Sequence, residues 1–319
     1  MDTTALSKKI KEKTLELGFY ACGITDCAPI NSTVTHAYQT YLQEERNADM
    51  NYLNNYLSLR FNPQQLVPQA KSIIVVLASY YNNTAFFPPQ NRYHLARYAW
   101  GQDYHKVIKQ RLKTLQQYIV QLVPDSINRY FVDTAPVMEK HLAERAGLGW
   151  IGKNTLLVNQ HGSYHFIATL FTSAVLTYDQ PALSKHPCAS CSLCQQACPS
   201  QALRNFGMDA RKCFAYQSIE NHHDIDEDFN SNTHYIYGCD ECQKACPFNH
   251  NAAPAAIKEF DTNPLLLDIT DEQWENIHQE DFDRIFATSA VKRIGFQKMK
   301  SNIQYAANRL YRKNNHFIQ

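Results

Sequence analysis

Eight of the ten cysteines in this 319-residue chain fall between Cys188 and Cys246, in two related runs. Residues 188–199 read C-A-S-C-S-L-C-Q-Q-A-C-P, and residues 239–247 read C-D-E-C-Q-K-A-C-P. So many thiols in so short a span need a common partner, and that restricts the local fold more than any hydrophobic pattern. The N-terminus, MDTTALSKKIKEKTLELG, reads as a polar amphipathic helix without the apolar region of an export signal. The expectation is a cytoplasmic protein, where paired cysteines favour metal binding over disulfides. No stretch approaches the ~18 apolar residues of a membrane span.

The first run has the C-x2-C-x2-C-x3-C-P spacing of bacterial ferredoxins. Three thiolates on one tight loop take three corners of a cubane. The fourth has rotated onto a helix and ligates the other cluster, and the proline starts a new direction. The second run lacks its first cysteine, because Ile236 stands there, and Cys213 is the remaining cysteine near enough to substitute. The ferredoxin logic assigns Cys188, Cys191, Cys194 and Cys246 to one 4Fe–4S cluster. It assigns Cys198, Cys213, Cys239 and Cys242 to the other. Structural zinc also uses C-x2-C pairs, but it does not usually need this longer run twice. Cys22 and Cys27 are left over and read as ordinary buried thiols.

The length suggests about two domains. Residues 4–17 show helical periodicity through Leu6, Ile10 and Leu17, closed by Gly18. Residues 72–81 form a continuous apolar run, read as a buried strand. A loop rich in Asn and Pro spans Asn82–Asn91. The clearest helix covers 102–122, with Tyr104, Val107, Ile108, Leu112, Leu115, Tyr118, Ile119 and Leu122 on one face. A short strand is expected at Arg129–Asp133, a helix from Pro136 to Leu148, and two strands around the His161-Gly162 turn. Strands and helices alternate without a regular βαβ repeat, so the fold class is α+β. A mixed α/β sheet domain is expected over residues 1–180. A ferredoxin-like two-cluster domain follows at 181–254, and a short helical C-terminal segment at 255–319. Ile285, Phe286, Ile294, Met299, Ile303, Ala307 and Leu310 are candidate buried positions in that segment.

A formal net charge of +1 conceals an asymmetry. Residues 220–283 carry 16 Asp and Glu against Lys244 and Lys258, whereas residues 284–319 carry eight Lys and Arg and no acid. The basic end suits a polyanion, or is simply a solvated helix surface.

Two such clusters move single electrons and do no substrate chemistry alone, so the first 180 residues should hold a second redox centre or a docking site. No P-loop or C-x3-C-x2-C is present. The D-x-H-x-x-G corrinoid motif fails at Asp103-Tyr104-His105, because Ile108 takes the glycine position. Pattern alone does not name the second centre.

Several segments together resemble epoxyqueuosine reductases: LRFNPQQLVPQAKSIIVV (59–76), ARYAWGQDYH (96–105), FVDTAPVMEKHLAERAGLGWIGKN (131–154), the first cysteine run, and YGCDECQKACPFN (237–249). The likeness covers roughly residues 1–310. It implies an enzyme that reduces epoxyqueuosine to queuosine at the tRNA wobble position, the last step of queuosine biosynthesis. It implies cobalamin in the sheet domain, whose cobalt attacks the epoxide, fed one electron at a time by the two 4Fe–4S clusters. Asp133 matches the family's proton donor. From the residues alone it reads first as a helix-capping Asp at a strand end, and the resemblance reverses that. Cobalamin contacts carried over by position are Arg60, Ala96, Asp133, Leu157, Ile167, Phe214, Asp240 and Glu241. Many members continue into C-terminal helical repeats, and the usual Arg-Asn near the end is Ser301-Asn302 here.

Partners implied are tRNA carrying epoxyqueuosine in its anticodon loop and an external electron donor of flavodoxin or ferredoxin type. The protein is expected to be a monomer with no membrane association. Lys292, Arg293, Lys298 and Lys300 are the candidate tRNA-backbone contacts, with the acidic stretch 220–283 facing away. His105, Lys153 and Asn154 are further candidates; the first also reads as a satisfied histidine on the long helix. Two rival readings are a corrinoid reductive dehalogenase and an electron-transfer or cobalamin-handling protein. The missing export signal and the basic C-terminal segment count against the first, and Asp133 in its family context counts against the second.

Overall fold

A computed structural model describes residues 2–82, 92–181, 186–229, 231 and 233–316, with side chains to residue 309. Most of the Asn- and Pro-rich loop and the Leu310 side chain lie outside the described residues.

A four-stranded sheet organises the N-terminal part, in the order Ala21–Thr25, Ser72–Ser79, His165–Thr172, Asn128–Phe131, every pair antiparallel. Ser72–Ser79 is central and buried along its whole length, which is why it reads as an unbroken apolar run rather than an alternation. Its two faces go to different cores, as a period of two requires. Ile74, Val76 and Ala78 meet Leu6 and Ile10 of the helix Thr3–Glu16, and Val107, Ile108, Leu112, Leu115 and Ile119 of the helix Tyr104–Leu122. Ile73, Val75 and Leu77 face Leu142, Ala143 and Ala146 at the helix Glu139–Arg145.

Two local expectations are corrected. The helix expected from Pro136 starts at Glu139. Before it the chain makes two tight turns, closed by Thr134 N–H to Val132 O at 2.6 Å and Val137 N–H to Ala135 O at 2.8 Å. The strand expected at 129–133 ends at Phe131. Strands do flank the His161-Gly162 turn, but Leu157–Val158 pairs back onto Trp150–Ile151, and only His165–Thr172 joins the main sheet.

The cysteine-rich part docks on this turn. Gly162 has φ +91, and a Cβ there would stand 2.1 Å from Asn249 Oδ1, so glycine is required on both counts. Asn249 Oδ1 accepts from Ser163 N–H at 2.7 Å, and its Nδ2 donates to Gln243 O at 2.7 Å. Ile236, at the position of the missing cysteine, is fully buried in the strand Tyr235–Tyr237, which pairs in parallel with His94–Leu95.

Among the candidate buried positions at the C-terminus, Ile285, Phe286, Met299 and Ile303 are buried, and Ile294 and Ala307 pack at the edge of the same core. That core also contains Tyr93, Leu95, Ala99 and Trp100. Segments on either side of the cysteine-rich part therefore share one interior. The long helix Gly295–His316 is fixed there by Asn302, whose buried Nδ2 donates to Ser218 O and Ile236 O, each at 2.9 Å.

Candidate active site and cluster-binding cysteines

The fold gathers the eight cysteines into two sets. Burial raises the thiol of Cys194, and Cys188, Cys191 and Cys246 raise it further as like charges. Burial likewise raises that of Cys242, followed by Cys239, Cys213 and Cys198 among its neighbours. The spacing assigns the same neighbours together, although among the described residues no three His, Cys, Asp or Glu side chains are arranged as a metal site. Cys213 reaches the second set because Asp209 Oδ1 accepts from Arg211 N–H at 3.2 Å and turns the chain, and Cys213 then starts the helix Phe214–Ile219.

The first loop is gripped by the sheet part. Trp150 Nε1 lies 3.3 Å from Cys188 Sγ. Lys153 Nζ donates to the carbonyls of Ala189 and Cys191, each at 2.9 Å. Asn154 is a local bracket, its Oδ1 accepting from Leu156 N–H at 3.3 Å.

Asp133 sits two residues beyond its strand with φ +59, in the left-handed region. Such a conformation in a non-glycine residue costs about 1–3 kcal/mol and is concentrated at functional sites. It is not a helix cap, since Met138 precedes the helix and no side chain caps it. Instead, Asp133 Oδ2 accepts from Tyr104 OH at 2.7 Å and meets His105 Nε2 at 3.3 Å. The other ring nitrogen of His105 lies 2.9 Å from Asp103 Oδ1. Asp103 is the N-cap of the long helix, so one residue both starts the helix and orients the imidazole.

Electrostatics follow the contacts. The His105 hydrogen bond holds the Asp133 carboxyl below its usual range, outweighing desolvation, with Tyr104 adding to it. For His105, burial works against the charge, but the hydrogen bonds to Asp133 and Asp103 outweigh it and the ring titrates above its usual value. Solvent still reaches Asp133, whose side chain is 61% exposed, while the surrounding protein desolvates it. Asp133 thus lies in a concave part of the surface that solvent enters. Glu139 Oε1 accepts the Asp133 N–H at 3.1 Å. Burial first, and the Asp133 charge second, push the Glu139 carboxyl up to about 8.

The residues matched to cobalamin contacts divide. Arg60 Nε is buried without a hydrogen-bond partner, with its guanidinium 5.7 Å from the Tyr38 ring. Ile167 is partly buried beside the core under the sheet. Leu157 is buried in that core, and Phe214 packs with Ile225, Tyr235 and Tyr305. Ala96 is buried against Gly238, where an added Cβ would stand 2.5 Å away. Asp240 is buried and accepts from Arg97 N–H at 2.6 Å, and Glu241 pairs with Lys244 at 3.0 Å.

The four basic candidates do not form one free patch. Arg293 pairs with Glu220 at 2.5 Å, so the acidic stretch does not wholly face away from them. Lys298 Nζ donates to His223 O at 2.5 Å. Lys292 and Lys300 are exposed. Arg293 also acts on Asp133 as a nearby positive charge, which places it near the cleft.

Sequence reasoning missed Tyr104 and Glu139 as site residues. The Asp-Tyr-His triplet at a helix start was a usable signal for the first. Nothing in the order of residues signals the second, because it is a turn that folds Glu139 back to Asp133.

Two family models match the chain. Residues 60–134 match "Epoxyqueuosine reductase QueG, DUF1730", and residues 187–249 match "4Fe-4S double cluster binding domain". An epoxyqueuosine reductase of Cellulophaga algicola is 37% identical over 302 residues, covering 94% of this chain and 97% of that protein. The Escherichia coli epoxyqueuosine reductase is 34% identical over 319 residues, covering 96% and 82%. A crystal structure of an epoxyqueuosine reductase with an epoxyqueuosine-modified tRNA-Tyr stem loop superposes with a TM-score of 0.81 at 23% identity, covering 95% of this chain and 80% of that one.

Proposed function

The chain belongs to the epoxyqueuosine reductase family, and from that premise we infer the chemistry of its cleft. It is an oxidoreductase that reduces epoxyqueuosine to queuosine in tRNA. The observation that carries this is identity running through both the sheet part and the cluster part of the chain. The readings as a reductive dehalogenase or a pure electron carrier give way to it.

Removing the epoxide oxygen consumes two electrons and two protons and releases water, leaving the alkene. The cysteine-rich part is a double 4Fe–4S domain, and its two thiol sets supply the path for single electrons. Cobalamin, when bound, would supply a low-valent metal centre for the two-electron reduction of the epoxide. Arg60, with a buried and unpartnered Nε, fits a role in holding the amide or phosphate groups of such a cofactor. Ala96, Asp133, Leu157, Ile167, Phe214, Asp240 and Glu241 complete the proposed contact set.

Protons come from the chain's own groups. At rest Asp133 is a carboxylate, and His105, between two carboxylates, holds a proton more tightly than a free imidazole does. The proton that reaches substrate at Asp133 Oδ2 is drawn from His105 Nε2, 3.3 Å away. Tyr104 holds the same oxygen in place, and Glu139 fixes the backbone of the strained residue. Lys292, Arg293, Lys298 and Lys300 lie on the segment proposed to meet the tRNA backbone. The wobble base would be splayed out into the cleft, as single-stranded RNA is usually read. An external flavodoxin- or ferredoxin-type donor feeds the clusters of a cytoplasmic monomer. Among the described residues no helix is long and apolar enough to cross a membrane.

The test is nucleoside mass spectrometry of tRNA from a strain lacking this gene. Epoxyqueuosine should accumulate and queuosine return on complementation. Unchanged queuosine in the deletion strain would overturn the assignment.

A further inference from the structure

The two cysteine sets have unlike surroundings. Lys153, only 8% exposed, places its ammonium on the carbonyls of Ala189 and Cys191, inside the first C-x2-C loop. The Trp150 indole N–H points at Cys188 Sγ from 3.3 Å. Its ring is buried edge-to-face on Phe248 at 5.0 Å, so the N–H is fixed in that direction. Backbone N–H groups reach sulfurs of both sets, from Gln195, Phe248 and Asn249 in the first and from Ala202, Ala215, Tyr216 and Glu241 in the second, so they do not distinguish the two. The second set's charged neighbours in sequence differ in burial as well as sign: Lys212, beside Cys213, is exposed, whereas the carboxyl beside Cys239 is buried. Asp240 lies between the ligands Cys239 and Cys242 and is 3% exposed. The nearby Lys244 is turned to Glu241 at 3.0 Å.

Reducing a cubane adds one negative charge to it. Cations and hydrogen bonds to sulfur stabilise that charge, and burial amplifies both, so these factors set the potential. A neighbouring carboxyl group opposes it.

We propose that Lys153 and Trp150 make the cluster on Cys188, Cys191, Cys194 and Cys246 the higher-potential one, where a single electron entering the protein comes to rest. This rests on the two-cluster reading. The step is the addition of one electron from an external one-electron donor to that cubane, with no bond made or broken. A second electron then goes to the other cluster. Lys153 and Trp150 are positioning residues here, since neither need touch the substrate.

The experiment is a potentiometric titration of the full-length, anaerobically reconstituted protein with dithionite and mediators, followed by electron paramagnetic resonance. Iron and sulfide are counted in every sample. The Cys213→Ala variant, lacking the second cluster, assigns the signals. Two midpoints are expected, the higher belonging to the Cys188 set. Trp150→Phe should lower that midpoint alone, and Lys153→Met should lower it further. At fixed potential the reduced-to-oxidised ratio should fall about tenfold for Lys153→Met, equivalent to about 59 mV for one electron. Lys153→Arg should hold the parent midpoint. If Lys153→Met loses iron, Trp150→Phe decides, because it keeps the ring on Phe248. The proposal fails if the higher midpoint belongs to the Cys213 set, or if Trp150→Phe leaves it unmoved. A parent protein without iron and sulfide would instead sink the cluster reading itself.

Discussion

Asp133 Oδ2 and His105 Nε2 stand 3.3 Å apart, and the far nitrogen of the same ring stands 2.9 Å from Asp103 Oδ1. A ring held between two carboxylates is stabilised as the cation, and the carboxylate it faces as the anion. Asp133→Asn should keep both clusters and lose about 10²–10⁴-fold in turnover. His105→Gln should lose less, because Tyr104 still holds the carboxylate. Nucleoside analysis of tRNA turned over in vitro measures both, and parent-like turnover of Asp133→Asn would leave that residue a purely structural turn.

The same pair fixes a pH dependence. His105 titrates above its ordinary 6.5, so what its charge contributes is complete below that value and disappears as pH rises through the raised one. Asp133 titrates below its ordinary 3.8, so its contribution is present above that value and is lost on acidification. Turnover should therefore fall on the alkaline side, with an apparent value above 6.5. The His105→Gln variant should lose this limb. A limb that persists in the variant belongs to another group.

Glu139 titrates near 8, and is therefore mainly protonated at neutral pH. Glu139→Gln copies that form and keeps an oxygen for the Asp133 N–H, so it should stay within a few-fold of the parent. Glu139→Ala removes the acceptor from a strained residue and should cost about 1–3 kcal/mol of stability. Since the folded value lies above the ordinary 4.5, stability from this group is complete below 4.5 and is lost as pH rises through 8. Thermal melts at pH 5 and pH 8 should therefore differ less for Glu139→Gln than for the parent.

Cys213→Ala should halve the iron, from about eight to about four per chain. Cys22→Ala should leave it unchanged, since Cys22 packs beside the sheet core. Equal iron in the parent and in Cys213→Ala would return Cys213 to the structural thiols.

Each phosphate contact contributes about 0.7–0.9 to the slope of log affinity against log salt. Lys292→Gln and Lys300→Gln should each lower the tRNA slope by about that amount. Arg293→Gln should change it less, because Glu220 already meets that guanidinium at 2.5 Å. Titrations of tRNA at two ionic strengths separate these cases. An unchanged slope in the Lys292 and Lys300 variants would make the segment an ordinary solvated surface.

What was legible in the sequence is what local spacing encodes. The paired thiol loops, the buried strand at 72–79 and the long helix from Tyr104 each leave a periodic or fixed-offset trace. Asp133 was legible by likeness to a family, but its surroundings were not. The reading as a helix cap assumed a helix directly after it, whereas tight turns intervene and the field comes from His105. Asn302 shows the same limit. Its pair Ser301-Asn302 read as a departure from an expected Arg-Asn through Ser301, yet Asn302 itself is fully buried and ties the last helix to Ser218 and Ile236. Contacts that join residues 66 and 84 positions apart leave no periodic mark in the chain.

The interior shared by Tyr93–Trp100 and Leu266–Ile303 also bears on the order of events during synthesis. At about 5–20 residues per second, Trp100 leaves the ribosome roughly 10–40 seconds before its C-terminal partners in that core exist. The cysteine loops emerge within that interval, before the last helix can close over Ser218 and Ile236. Iron and sulfide thus have a period of open access to their thiols, and the arrival of the C-terminal helix ends it.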